Sequence, residues 1–241
     1  MLPFRFKRPV RYLVLDAEED YVKGLIFENQ KDNPALLTNY RSDYDDLETG
    51  IRNTLNGLVD NCRIFKGEEV SDISDLPAFL SLPSSILKAR KIGDRIRRTG
   101  GIISRSEEAS LNTRIISRAK YQIGQEYLND TGIMPSELKF IGFKPIVRKI
   151  NGYNVDRLHG NDGQELEFET LLTYLTKKDF QEIERIIGRL GLNDFRIIHL
   201  AQVLSDYSYS LIDNVSNLPK KLKKSEYTPT ILMSYYAKEI L

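Results

Sequence analysis

Asp16 is the residue whose position most invites chemistry. It follows the apolar run Tyr12-Leu13-Val14-Leu15 and precedes Ala17-Glu18-Glu19-Asp20, after which a second run, Tyr21-Val22-Lys23-Gly24-Leu25-Ile26-Phe27, begins. Two strands joined by a tight connection have the layout of a loop that grips a nucleotide phosphate. The chemistry of the loop opposes this. A phosphate cradle needs small residues, free backbone N–H groups and hydroxyls. Glu18, Glu19 and Asp20 supply negative charge, which repels a triphosphate. The chain therefore reads as keeping a nucleotide-binding framework while losing the nucleotide. Without phosphates to share an ion, the expected role of Asp16 is structural.

The other reactive residue types form no constellation. His159 and His199 are far apart in sequence, and neither has Asp, Glu or Cys neighbours at metal-ligand spacing. His159 is expected to be exposed in a glycine-flanked turn, and His199 to be a satisfied core or boundary residue. Neither makes a recognisable triad with Ser84, Ser104 or Cys62. Asp45-Asp46 and Glu68-Glu69 read as solvated loop charges. Cys62, the single cysteine, reads as a small buried apolar residue, excludes an internal disulfide and fits a reducing cytosol.

The elements that would position these residues belong to an ordinary globular chain. It has 241 residues, 41% hydrophobic and 29% charged, with 35 basic against 34 acidic side chains. A net charge of +1 generates no global attraction to nucleic acid or anionic membrane. No apolar run approaches the length of a membrane span, and no signal-peptide core follows the basic N-terminus.

Strands are expected at 11–15, 21–28 and 35–40, with a turn at Lys31-Asp32-Asn33-Pro34. Leu47, Ile51, Leu55, Leu58 and Val59 predict a helix, after which 62–66 reads as a further strand. Asp72 to Pro77 is loop-like, and 78–82 is a strand closed by Pro83. The basic run Lys88, Arg90, Lys91, Arg95, Arg97, Arg98 reads as the exposed face of an edge strand, where cations discourage aggregation. A nucleic-acid strand is the alternative, but no interleaved aromatics offer a stacking platform. A polar helix is predicted from Ser104, its N-cap, with Glu107 as capping-box partner. Phe140 to Ile150 is strand-like, broken at Pro145. Asn151-Gly152 is a hairpin signal, because both residues tolerate positive φ. Gly160-Asn161-Asp162-Gly163 is a second turn, with strand residues Leu166 to Leu175 after it. Residues 179–190 are the clearest helix, with Phe180, Ile183, Ile186, Ile187 and Leu190 as its stripe, Asp179 with Glu182 at its start and Gly191 at its end. Ile197 to Leu204 continue into a buried strand and helix.

Two regions resemble one family. Ile150-Asn151-Gly152-Tyr153-Asn154-Val155, then Gly160, Gly163, Leu166, Glu167 and the helix ending Leu190-Gly191-Leu192, resemble the small inserted SHS2 subdomain of FtsA-like actin-like ATPases. Leu82 to Lys88 and Ile102-Ile103-Ser104-Arg105-Ser106-Glu107-Glu108 resemble that family's lead-in and helix start. The opening hairpin resembles its first phosphate loop, with Asp16 at the aspartate position. The PilM-like pilus-assembly branch is equally compatible. The resemblance implies an α+β fold: a partial actin-like (ribonuclease H-like) lobe at 1–83, an SHS2-like subdomain at 84–192, and a return to the lobe with a C-terminal tail at 193–241.

The departures shape the functional expectation. The family's first loop reads roughly Asp-Ile-Gly-Thr/Ser, and its glycine and hydroxyl are missing after Asp16. No Asp-x-Gly-Gly-Gly-Thr second loop lies between Leu204 and Leu241. The resemblance thus implies a non-catalytic scaffold or adaptor that needs no cofactor and binds a protein partner of a bacterial cell-division or pilus complex. Self-association is a further expectation, and nucleic acid is not an expected partner. The alternative is a divergent actin-like ATPase, using ATP and Mg²⁺ with a second half that is missing or supplied by another chain. The basic run Lys220, Lys221, Lys223, Lys224 precedes an apolar segment, a pattern that can contact anionic lipid. A cytoplasmic protein at the periphery of the inner membrane is the corresponding expectation. Within that segment Thr228-Pro229-Thr230-Ile231 reads equally well as a strand, and packing onto the domain as its last element is the preferred reading over a lipid contact.

Overall fold

The computed structural model describes residues 10–29, 33–66, 73–206 and 227–240. They form a mixed α/β molecule of the α+β class with two sheets. The chain divides into two compact units, Met1–Ser85 with Glu182–Leu241, and Ile86–Gln181.

The first unit is built on a five-stranded sheet. Its strands are β1 (Arg11–Ala17), β2 (Tyr21–Asn29), β3 (Pro34–Asp43), β4 (Ala78–Ser81) and β9 (Phe195–Ile197), in the order β3-β2-β1-β4-β9. β1 to β3 form an antiparallel meander, whereas β4 and β9 join in parallel. Strands β1 and β2 are buried along nearly their whole length. That is why they read as continuous apolar runs and not as an alternation.

Helices cover both faces of this sheet. On one side lies α1 (Leu47–Lys66), so close that a Cβ on Gly24 would stand 2.6 Å from Thr54 Cγ2 and 2.8 Å from Leu58 Cδ1. The other side is closed by α4 (Leu200–Asp206) and α5 (Thr228–Ile240), whose Ile231, Leu232, Met233 and Tyr235 join Tyr12, Val14, Leu25, Phe27 and Phe79 in one core. Tyr12 stacks on Phe27 and meets Phe79 edge-on. Its hydroxyl donates to the Ser234 carbonyl at 3.0 Å, and burial holds its pKa far above the ordinary phenol value.

Two expectations are corrected here. Residues 62–66 form no strand; α1 continues to Lys66, because Cys62 extends the buried stripe of Ile51, Leu55 and Leu58. The segment after Tyr227 packs onto the sheet as the last element, as expected, but as a helix, so the strand alternative for 228–231 does not form. Its β-branched residues are overridden by burial of nearly every side chain from Thr230 to Tyr235. Those apolar groups lie in the core and are not a free membrane-binding face. Lys220, Lys221, Lys223 and Lys224 lie outside the described residues.

The second unit has a four-stranded sheet of β5 (Lys88–Arg97), β6 (Leu138–Ile150), β7 (Tyr153–Asn154) and β8 (Glu165–Thr176), ordered β5-β8-β6-β7. Helix α2 (Arg105–Thr131) covers one face, burying Leu111, Ile115, Ala119 and Ile123 against Ile92, Ile96, Phe168, Leu172 and Tyr174. Ser104 caps α2 by accepting the Glu107 N–H at 3.1 Å, but the Glu107 carboxylate is engaged by Arg98 at 2.8 and 3.0 Å. The irregularity foreseen at Pro145 is a register shift between Pro145 and Val147. Asn151 (φ 50°) and Gly152 (φ 85°) form the tight turn between β6 and β7. Gly163 is required by packing: a Cβ there would lie 2.1 Å from Ile150 Cγ2.

The chain returns through α3 (Lys177–Arg189). Its start is capped by Thr176, not by Asp179 with Glu182. The Thr176 hydroxyl accepts the Asp179 N–H at 3.0 Å and donates to the Asp179 carboxylate at 2.6 Å. Gly191 ends the helix at φ 76°, with the Leu192 N–H returning to the Ile187 carbonyl at 3.2 Å.

Candidate functional site

The β1–β2 hairpin places Asp16 directly opposite Lys23. Alternation along the two strands turns both side chains to the face covered by α5. Lys23 Nζ lies 3.1 Å from Asp16 Oδ2, and the side chains are only 2% and 3% exposed. The Thr230 hydroxyl, from the first turn of α5, donates to the same carboxylate at 2.8 Å. Asp16 thus lies one residue before the end of its strand, inside the core, satisfied by groups of its own chain. Desolvating two ions is costly, and only close charge pairing with added hydrogen bonds offsets it. Thr230 supplies such a bond.

The hairpin tip is organised around its acids. The Glu18 N–H closes the turn to the Tyr21 carbonyl at 2.9 Å, and the Tyr44 hydroxyl donates to the Glu18 carbonyl. The Glu18 carboxylate stands 3.9 Å from Lys23 Nζ. Burial, then the neighbouring Asp16 charge, raises its pKa above the ordinary carboxylate value against the opposing pull of Lys23. Burial and the charges of Glu19, Asp20 and Glu18 likewise raise the Tyr44 phenol. Glu19 accepts from the Ser85 N–H at 3.3 Å and the Ser85 hydroxyl at 2.9 Å, which ties the tip to the segment after β4. Tyr21 is flanked by cations, with the Arg41 guanidinium 3.9 Å and Lys23 Nζ 5.2 Å from its ring centre. The hairpin therefore presents negative charge outward and holds its lysine inward.

Among the described residues, no three His, Cys, Asp or Glu side chains are grouped to hold a metal ion. His199 is half-buried, accepts the Ala201 N–H at 2.9 Å on Nδ1, and has its pKa lowered by burial. His159 is not a free turn residue: Nδ1 lies 2.7 Å from Glu108 Oε2, and the ring is one-quarter exposed. Burial alone would raise the Glu108 carboxyl, but hydrogen bonds from the Leu158 N–H and from His159 outweigh it and hold the pKa below the ordinary value. Glu108 and His159 pin the loop 156–161 to the first turns of α2. Cys62 is buried in α1.

Sequence reasoning singled out Asp16 but passed over its two partners. Lys23 was legible in principle, since a hairpin that pairs Ala17 with Val22 must pair Asp16 with Lys23. Thr230 was not, because it lies 214 residues away.

No family model matches the chain, and neither does any curated protein. Among solved structures, a chain titled as the PilM-PilN type IV pilus biogenesis complex matches with 9% sequence identity and a TM-score of 0.43. The match covers 78% of this chain and 46% of that one, so the chain spans less than half of that protein's length. A likeness of that size carries no argument about function. No helix among the described residues is long and apolar enough to cross a membrane.

Proposed function

We propose that this protein is a non-catalytic protein-binding module that makes no use of nucleotide. One observation carries the reading: the carboxylate that would serve a phosphate site is engaged by Lys23 at 3.1 Å and Thr230 at 2.8 Å. An ion or phosphate at Asp16 must displace an internal ammonium and open the packing of α5. Replacing these partners with solvent or ligand would leave a buried lysine uncompensated, which costs several kcal/mol. The acids at the tip add repulsion where phosphate would sit. The residues present do not suit a Mg-nucleotide.

The finer setting rests on the sequence resemblance. The order of the second unit, a strand, a helix and then three strands of which β7 has only two residues, supports the SHS2-like reading, with residues 84–192 as the proposed subdomain. A scaffold role in cell division or pilus assembly, at the cytoplasmic face of the inner membrane, follows from that resemblance and not from the fold. The test is thermal unfolding with and without Mg-ATP. A ligand at one hundred times its Kd stabilises by about 2.7 kcal/mol, whereas the adaptor reading expects no shift. A saturable rise in melting temperature would return the ATPase alternative.

A further inference from the structure

Strand β5 ends its sheet, paired with β8 on one side and, among the described residues, with no strand on the other. An end strand offers unpaired N–H and C=O groups that can template another chain. Beside it runs a groove of about 520 Å³ between β5 and α2. Ile92, Ile115 and Ala119, each at least nine-tenths buried, form its apolar base, and Tyr121 stands at its rim 71% exposed. An open edge beside a helix-walled groove is the geometry used for strand addition, where main-chain bonds give affinity and alternate side chains enter the groove.

The charge of the edge selects the occupant. β5 carries Lys88, Arg90, Lys91, Arg95 and Arg97 against the single Asp94. Ile92 and Ile96 pack toward α2, so Lys91, Arg95 and Arg97 point to the opposite face. There they meet Glu169, Glu167 and Glu165 at 2.9, 3.4 and 3.0 Å. The Arg95 and Arg97 side chains remain 83% and 87% exposed. Exposed pairs of this kind contribute about 0–1 kcal/mol, so carboxylates of an added strand compete readily for these cations. On the groove side, Arg118 is satisfied by Asp94 at 3.2 Å and Arg90 by Glu126 at 2.9 Å. The groove itself favours uncharged side chains.

Gly93, in the middle of β5, points the same way. Its φ is not positive, and an added Cβ would meet nothing nearer than the Phe168 carbonyl at 3.8 Å. Neither conformation nor internal packing requires glycine there. Glycine inside a strand weakens it and often marks the close approach of another backbone. A second copy of this chain fits poorly. Opposite residues of an antiparallel pair share a sheet face, so β5–β5 pairing about Gly93 sets Lys91 opposite Arg95 and pairing about Asp94 sets Lys91 opposite Arg97, like charges that destabilise a strand pair, whereas pairing about Ile92 sets Arg90 against Asp94, a carboxylate already held by Arg118 at 3.2 Å.

We propose that the β5 edge captures an extended acidic segment of a partner protein, in which acidic residues alternate with apolar ones. The acids face Lys91, Arg95 and Arg97, and the apolar side chains enter the groove between Ile92 and Tyr121. This deepens the protein-binding reading above and rests on it. The probe is a fluorescein-labelled heptapeptide alternating Asp or Glu with Val, titrated into the full chain by anisotropy and followed by hydrogen exchange. Saturable binding is expected, with slowed exchange confined to 88–97 and an affinity about tenfold lower in Tyr121→Ala and in Arg95→Ala/Arg97→Ala. Both variants change exposed side chains, and unchanged melting temperatures confirm that they fold. A Lys–Val peptide binding equally well, no slowed exchange at 88–97, undiminished binding by both variants, tighter binding of oligo(dT), or β5-dependent dimerisation would each overturn the proposal. Mg-ATP titrated into the same sample separates the two readings, since nucleotide binding beside intact peptide binding refutes only the nucleotide-free part.

Discussion

Replacing Lys23 with methionine strips the buried charge pair of its cation while keeping most of the side-chain volume. The magnitude follows from the geometry. At 3.1 Å and an effective dielectric of about 20, the Asp16–Lys23 attraction is about 5 kcal/mol, set against a desolvation cost of several kcal/mol per ion. The pair as a whole is therefore close to balance, but half of it is not. In Lys23→Met the Asp16 carboxylate keeps the Thr230 hydroxyl and loses its counter-charge, a loss of about 3–5 kcal/mol. With a urea slope of about 3 kcal/mol per molar, the midpoint falls by about 1–1.7 M. Adding Asp16→Asn removes the stranded charge, and the double variant should recover to within about 1.5 kcal/mol of the natural protein. The chain has no tryptophan, and its two units need not unfold together. Hydrogen exchange of β1 and β2 amides under increasing urea is accordingly the assay. A single-variant loss under about 1 kcal/mol, or a double variant no more stable than the single, would refute the reasoning.

Other expectations are more local. Gly163→Ala drives a Cβ into Ile150 and should destabilise the second unit by about 1–3 kcal/mol, whereas Gly188→Ala, with open space in α3, should stabilise by about 0.5–1 kcal/mol; chemical denaturation compares them. Glu108 has a lowered folded pKa, so its contribution is complete above the ordinary value of 4.5 and is lost as pH falls below it. Glu108→Gln should flatten that acid limb in exchange-monitored stability of α2. His199 also has a lowered folded pKa, so the first unit should weaken as pH falls below 6.5. His199→Asn, which keeps an acceptor for the Ala201 N–H without ionising, should remove that slope, and an unchanged slope would assign it to another group.

Local signals carried much of the fold. β-branched and aromatic runs marked β1 and β2, Asn151-Gly152 marked the β6–β7 turn, and the isoleucine stripe marked α3. Failures fall where distant packing decides. Cys62 to Lys66 is too short an apolar run to separate strand from helix by period alone, and the stripe begun at Ile51 settles it. Thr228 to Ile231 has strand-like composition, yet it winds into α5, whose Thr230 to Tyr235 are all buried and whose Ile231 to Met233 pack in the core with Tyr12 and Phe27. For the site, the acids of the hairpin were plain in the chain, but the pairing of Lys23 with Asp16 was passed over. A lone lysine in a strand buried on both faces is the signal that it needs an internal partner.

Calorimetric titration of Mg-ATP into the natural protein, with Lys23→Met beside it, bears most directly on whether Asp16 serves the fold or a nucleotide. The internal pairing predicts no binding heat for the natural protein at millimolar ligand. Saturable, magnesium-dependent heat from the natural protein, lost in Asp16→Asn, would contradict it.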